Sequence, residues 1–348
     1  MRRTMLTVPA AGLLAAAALA ACGDGDSASS DGEIDVVAAF YPLAFAAEQV
    51  GGDHVNVSNL TPAGQEPHDL ELAPSDIAAI EEADYIVYLE GFMPEFDEAV
   101  SEYASDKALE VGSAVELLDY SEDTENLEDH DHGEESHSED EHGEESHSHD
   151  EHAEESHSEG EHAEEEDHDH EHATEGTDPH VWLDPIRYSA IGEAVADGLA
   201  GIDEANAEAY TTGAEDFTAA LTELDAEFTE GLANRASDDI VTSHAAFGYL
   251  ADRYGLHQIA ISGVSPDQEP DSARMAEIAE FVESHDVTTI FFETLVSPDI
   301  AETLAAETGA ATAVLDPLEG LTDDQEGADY FTVMRDNLAA LQTALGAA

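Results

Sequence analysis

The sequence predicts an α/β protein. It has two α/β lobes, each a mainly parallel sheet flanked by helices, joined by one long helix, with a disordered His/Asp/Glu-rich insertion in the first lobe. Three observations carry this expectation. Short β-like runs alternate with helical runs in both halves of the 348-residue chain, the mark of parallel sheets. A proline-free stretch from Glu204 to about Gly231 keeps Tyr210, Phe217, Leu221, Leu224 and Phe228 at helical spacing, long enough to span a lobe. Between Ser121 and Asp178 lie 27 acidic residues and no lysine or arginine, a composition that buries too little apolar surface to fold alone.

Taken in chain order, Arg2 and Arg3 precede the apolar run "MLTVPAAGLLAAAALAA", which has the length of a signal peptide rather than of a membrane span. It closes on "LAAC", the pattern of a lipoprotein signal in which Cys22 becomes the lipid-modified first residue. Cys22 is also the only cysteine, so an internal disulfide is excluded. "GDGDSASSDG" follows as a polar tether. The first lobe then reads "IDVVAAFYP" strand, "LAFAAEQVG" helix, "HVNVSNL" strand, "PSDIAAIEEA" helix and "DYIVYLE" strand. Beyond the acidic tract a helix starts after Asp184-Pro185, and the long linking helix follows. The second lobe reads "DDIVTSH", "HQIAIS", "VTTIFFET" and "ATAVLD" as strands, with "AAFGYLADRYG", "SARMAEIAEFVESH" and "PDIAETLAAETG" as helices between them. The expected boundaries are 1–22 for the signal, 23–32 for the tether and 33–203 for the N-terminal lobe, with the insertion at 121–177. The linking helix takes 204–233 and the C-terminal lobe 234–348.

Charge narrows the partners. Against 83 acids stand 8 lysines and arginines, a formal net charge of −75. Nucleic acids and anionic membrane surfaces need a basic face and are excluded as partners. Metal cations suit such a surface. In open α/β sheets ligands sit at the carboxyl ends of the strands, and two lobes can enclose one between them. At those ends the sequence places His68 after "VNVSNL", His180 in "DPHVWLDP", His244 after "DDIVT" and Glu319 in "PLEGL". Three imidazoles and one carboxylate suit a tetrahedral zinc site. Glu293, in "IFFETLVSP", is a further candidate, read mainly as a carboxylate that orients a histidine. His54, His257 and His285 read as surface or loop residues. The tract from Glu128 to His172 holds 12 of the 18 histidines, and reads as a weak metal collector beside the cleft.

"GQEPHDLELAPSD", "DPHVWLDP", "SHAAFGYLADRYG" and "LDPLEGLT", in this order after a lipoprotein signal and around an acidic His-rich loop, resemble the zinc-binding solute-binding proteins of ABC importers. The resemblance covers essentially the whole mature chain. It implies that His68, His180 and His244 bind the metal, and that the fourth position is Glu319, water or Glu293, with Glu319 favoured because "PLEGL" matches the zinc branch. Manganese-selective relatives carry Glu at the position of His244, so the histidine here points to zinc. Pro67 stands where some relatives carry a ligating Glu before the first histidine, with Glu66 one residue further back. The resemblance further implies Zn2+ as the bound ion, a membrane permease as partner, lipid anchoring on the outer face of the cell membrane, a monomer and no enzymatic activity. The alternatives are a manganese-binding or adhesin member of the same family, and a zinc hydrolase on the same scaffold.

Overall fold

The computed structural model describes residues 33–68, 70–120, 176–268, 270–322, 325 and 327–347. Cys22, the tether and the histidine tract lie outside the described residues. Residues from Ile34 onward form one compact unit that contains both sheets.

The first sheet holds β1 (Ile34–Ala38), β2 (Val55–Asn59), β3 (Tyr85–Tyr88) and β4 (Ala108–Glu110), in the order β2-β1-β3-β4, all parallel. The second holds β5 (Asp239–Thr242), β6 (His257–Ala260), β7 (Thr289–Phe292) and β8 (Ala311–Val314), in the order β6-β5-β7-β8, again all parallel. The two lobes therefore repeat one topology. In each, the strand order reverses beside the first strand, and the crevice that this reversal opens at the carboxyl ends is where an α/β sheet receives a ligand. In the second lobe the strands flanking that point are β5 and β7, which lead directly into His244 and Glu293.

The helices are α1 (Tyr41–Gly51), α2 (Pro74–Glu82), α3 (Pro94–Tyr103), α4 (Pro185–Ile202), α5 (Ala207–Gly231), α6 (Gly248–Tyr254), α7 (Ser272–Ser284), α8 (Asp299–Thr308) and α9 (Tyr330–Ala344). Proline opens or nearly opens the first four, where its missing N–H costs no hydrogen bond. Asp184 caps α4 by accepting from the N–H groups of Ile186 and Arg187. Gly309 ends α8 in the left-handed conformation that a C-terminal cap requires.

The expected linking helix is α5, and its buried face serves both lobes. Phe217 packs on Phe45 of α1 and Tyr188 of α4, and further along Phe228 stacks on Tyr254 of α6. Asp225 and Glu227 on the same helix pair with Arg253 of α6 and Arg335 of α9. Three elements stand beyond those read from the sequence, namely α3, β4 and α9. Of these α9 matters most, because Tyr330 and Phe331 at its start pack against Phe45 of the first lobe. Among the described residues no helix is long and apolar enough to cross a membrane.

Candidate metal centre

Four side chains reached from four different loops converge between the lobes. His68 lies in the loop after β2, His180 in the turn before α4, His244 just beyond β5, and Glu319 beyond β8. Their ligand atoms all lie within 4.8 Å of one another. Glu319 Oε1 is 3.1 Å from His180 Nε2, 3.1 Å from His244 Nε2 and 3.6 Å from His68 Nε2, and the Nε2 atoms of His180 and His244 are 3.4 Å apart. A tetrahedron with metal–ligand bonds of about 2.05 Å has edges of about 3.3 Å, so these four separations match a zinc-sized ion. His180 and His244 are fully buried and Glu319 is 1% exposed, while the His68 side chain keeps 10% of its surface open.

Two of the imidazoles are oriented from behind. The Nδ1 of His180 donates to Asp178 Oδ1 at 2.8 Å, and the Nδ1 of His244 donates to Glu293 Oε1 at 2.5 Å. A carboxylate at Nδ1 fixes the ring and turns the Nε2 lone pair toward the shared centre. Asp178 is itself held, because its Oδ1 also accepts the His180 backbone N–H and its carbonyl accepts from the Tyr249 hydroxyl. Glu293 also accepts from the Ser243 hydroxyl. Thr242 and Gln258 donate to the His244 carbonyl, which pins the backbone of that ligand. On the first-lobe side Phe92 packs edge-on against His68 at 4.4 Å, and Trp182 packs on His180 at 5.4 Å. These rings wall the centre with apolar surface, and the lower local dielectric strengthens electrostatic contacts within it.

The protonation pattern follows from these neighbours. Burial works to lower the His180 and His244 pKa values. Hydrogen bonds and charge from Asp178 and Glu319 outweigh it at His180, and Glu293 and Glu319 outweigh it further at His244, so both are raised. His68 goes the other way, lowered by burial. Burial also pushes Glu66 up to about 8, with the nearby Glu319 charge adding to the effect. Glu319 is held well below the usual carboxylate range, because the two imidazoles opposite it outweigh the cost of burial.

The other candidates fall elsewhere. Glu293 takes the orienting place read for it. His257 pairs with Asp239, His285 stacks on Phe281, and His54 packs against Tyr210. Asp178 was not singled out in the sequence, although it stands two residues before His180 in the motif itself. The ends of the undescribed 121–175 segment meet beside it, where the Tyr120 N–H donates to the Gly176 carbonyl and the Asp178 N–H to the Leu118 carbonyl.

Three imidazoles and a carboxylate, oriented by their neighbours and converging between two α/β lobes, form a group that could hold a metal ion. The model of the zinc-uptake complex component A, periplasmic (ZnuA) family matches residues 36–344, and the chain belongs to that family. The high-affinity zinc uptake system protein ZnuA of Bacillus subtilis (strain 168) is 34% identical over 337 residues, covering 94% of this chain and 93% of its own length. The zinc-binding lipoprotein AdcA of Streptococcus pneumoniae (strain ATCC BAA-255 / R6) is 36% identical over 335 residues, 94% of this chain and 59% of its own. The chain thus spans about six-tenths of the length of that relative. The crystal structure of Zn(II)-bound AdcA from Streptococcus pneumoniae superposes with a TM-score of 0.67 at 31% identity, covering 90% of this chain and 58% of that one.

Proposed function

We propose that this chain captures Zn2+ outside the cytoplasm and delivers it to the permease of an ABC importer. The ion is held by His68, His180, His244 and Glu319, and the protein acts as a monomer lipid-anchored through Cys22. One observation carries the reading: Glu319 Oε1 lies 3.1 Å from two imidazole nitrogens whose far sides are each held by a carboxylate. The zinc named for the Bacillus and Streptococcus relatives supports the same ion here. The centre favours binding over hydrolysis, because a catalytic zinc keeps one position open for water and here Glu319 fills it. The His-rich tract joins the chain at Tyr120 and Gly176, close to His180, and in this reading it collects zinc at the cleft.

The test is a competitive titration of Zn and Mn into protein lacking residues 128–172. One tight site selective for zinc is expected. Preference for Mn would move the protein to the manganese branch, and turnover of esters or peptides by the zinc-loaded protein would restore the hydrolase reading. Wild-type zinc affinity in all of His68→Ala, His180→Ala and His244→Ala would overturn the ligand assignment.

A further inference from the structure

The segment that carries Glu319 is held in an unusual conformation. Leu318, immediately before it, is fully buried and has a φ of 61°, in the left-handed region that residues with a branched side chain rarely enter. Relaxation to an ordinary negative φ would turn the backbone by roughly 120° and swing Glu319 away from the imidazoles.

What opposes that relaxation is a set of hydrogen bonds that leaves no backbone polar group free from Asp316 N to Leu318 N. The Asp316 N–H donates to Asn337 Oδ1 at 2.9 Å, and Asn337 Nδ2 donates back to the Asp316 carbonyl at 2.7 Å. The Pro317 carbonyl accepts from the Trp182 indole at 2.7 Å. The Leu318 N–H donates to Asp316 Oδ1 at 2.8 Å. The other carboxylate oxygen, Oδ2, accepts from Gln325 and Thr294, which locks the side chain that holds Leu318. Asp316 and Asn337 are 3% and 2% exposed, so breaking these bonds would leave buried polar groups without partners. Asn337 comes from α9, the helix that lies against both lobes.

We propose that Asp316 and Asn337 are positioning residues that act through the Leu318 backbone to fix the Glu319 carboxylate among the three imidazoles, and so set how tightly the centre holds its ion. The proposal rests on the reading of Glu319 as a zinc ligand. It predicts a specific coupling: Asn337 matters to the metal only through Glu319.

A double-mutant cycle tests it, with zinc affinity measured by chelator competition on the 128–172 deletion. Asn337→Ala is expected to weaken zinc binding by about ten-fold or more in the otherwise wild-type protein. In a Glu319→Ala background the same change should cost less than about two-fold. An equal loss in both backgrounds would make Asn337 a general structural residue and overturn the proposal, as would the absence of any loss in the first. If Glu319→Ala alone leaves zinc affinity unchanged, the ligand reading itself falls. Should Asn337→Ala fail to fold, Asn337→Leu, which keeps the side-chain volume but makes neither hydrogen bond to Asp316, carries the same cycle, with the same pattern expected and the same results overturning it.

Discussion

Zinc binding at this centre should release protons from His180 and His244, whose pKa values are both raised by the carboxylates around them. Only a neutral imidazole can ligate, and His68, whose pKa is lowered, has no proton to lose. The sign follows directly. As pH falls through the raised pKa values, protons compete with zinc and the affinity drops. As pH rises above them the affinity levels off. Each proton displaced makes the affinity ten-fold weaker per pH unit, or ~1.4 kcal/mol, so the slope of log affinity against pH counts the protons released. Calorimetric titrations of the 128–172 deletion in buffers of different ionisation enthalpy measure the number released, without interference from the tract's own imidazoles. An enthalpy that does not depend on the buffer, with an affinity flat from pH 6 to 8, would mean that both rings are neutral before zinc arrives. The carboxylates behind them would then orient without charging them.

Other outcomes are equally accessible. A Cβ added at Gly248 would stand 2.4 Å from Asp178 Oδ2, so Gly248→Ala should displace the carboxylate that orients His180 and weaken zinc binding by about ten- to a hundred-fold; unchanged affinity would show that Asp178 is dispensable. Asp97 on α3 has one carboxylate oxygen without a partner, and burial pushes its pKa up to about 6, with Glu90 and Glu110 adding to the effect. Its folded pKa lies above the unfolded one, so ionisation costs stability above about pH 6 and nothing below about pH 4; Asp97→Asn should therefore melt higher than wild type at pH 7.5 and equally at pH 4, and a lower melting point at both would refute this. Deleting residues 128–172 should lower the total zinc bound while keeping one tight isotherm, because all four converging side chains lie outside the cut; loss of the tight isotherm would place the tract in the principal site.

Seven of the eight described strands are legible in the sequence as short β-like runs between helical ones, whereas the order in which they pair is not. Two of the elements that escape have weak signals: the helix α3 buries only Phe96, Ala99 and Val100 among charged neighbours, and β4 is three half-buried residues. The helix α9 is different, since an aspartate cap at Asp329 and buried residues at helical spacing are both present in its sequence. At the centre, the three histidines stand at strand ends, where a single histidine is commonly just a hydrogen-bonded loop residue, and it is the motifs around them that mark them as candidates. Asp178 is not marked in this way, since its role depends on a side chain folding back over two residues. Asn337 cannot be, since a single amide on a helix acquires its meaning only when Asp316 arrives from another part of the chain.

Charge and the surrounding frame both act on this largely buried centre. The carboxylates of Asp178, Glu293 and Glu319 raise the pKa values of His180 and His244, so protons and a metal cation compete for the same ring nitrogens. A cation that enters as such protons leave adds less buried charge than one that enters a neutral site. The frame around the exchange is also tied across the lobes. Trp182 beside His180 donates to Pro317 beside Glu319, Tyr330 donates to the Trp182 carbonyl, and Tyr249 bridges the Asp178 carbonyl and the Leu118 N–H. His68 stands apart from this frame, being the most exposed of the four ligands and the one whose Nε2 makes no hydrogen bond. In the proposed ligand set, three donors are preset in a pinned interior and the fourth, His68, stands at the side with the most solvent exposure.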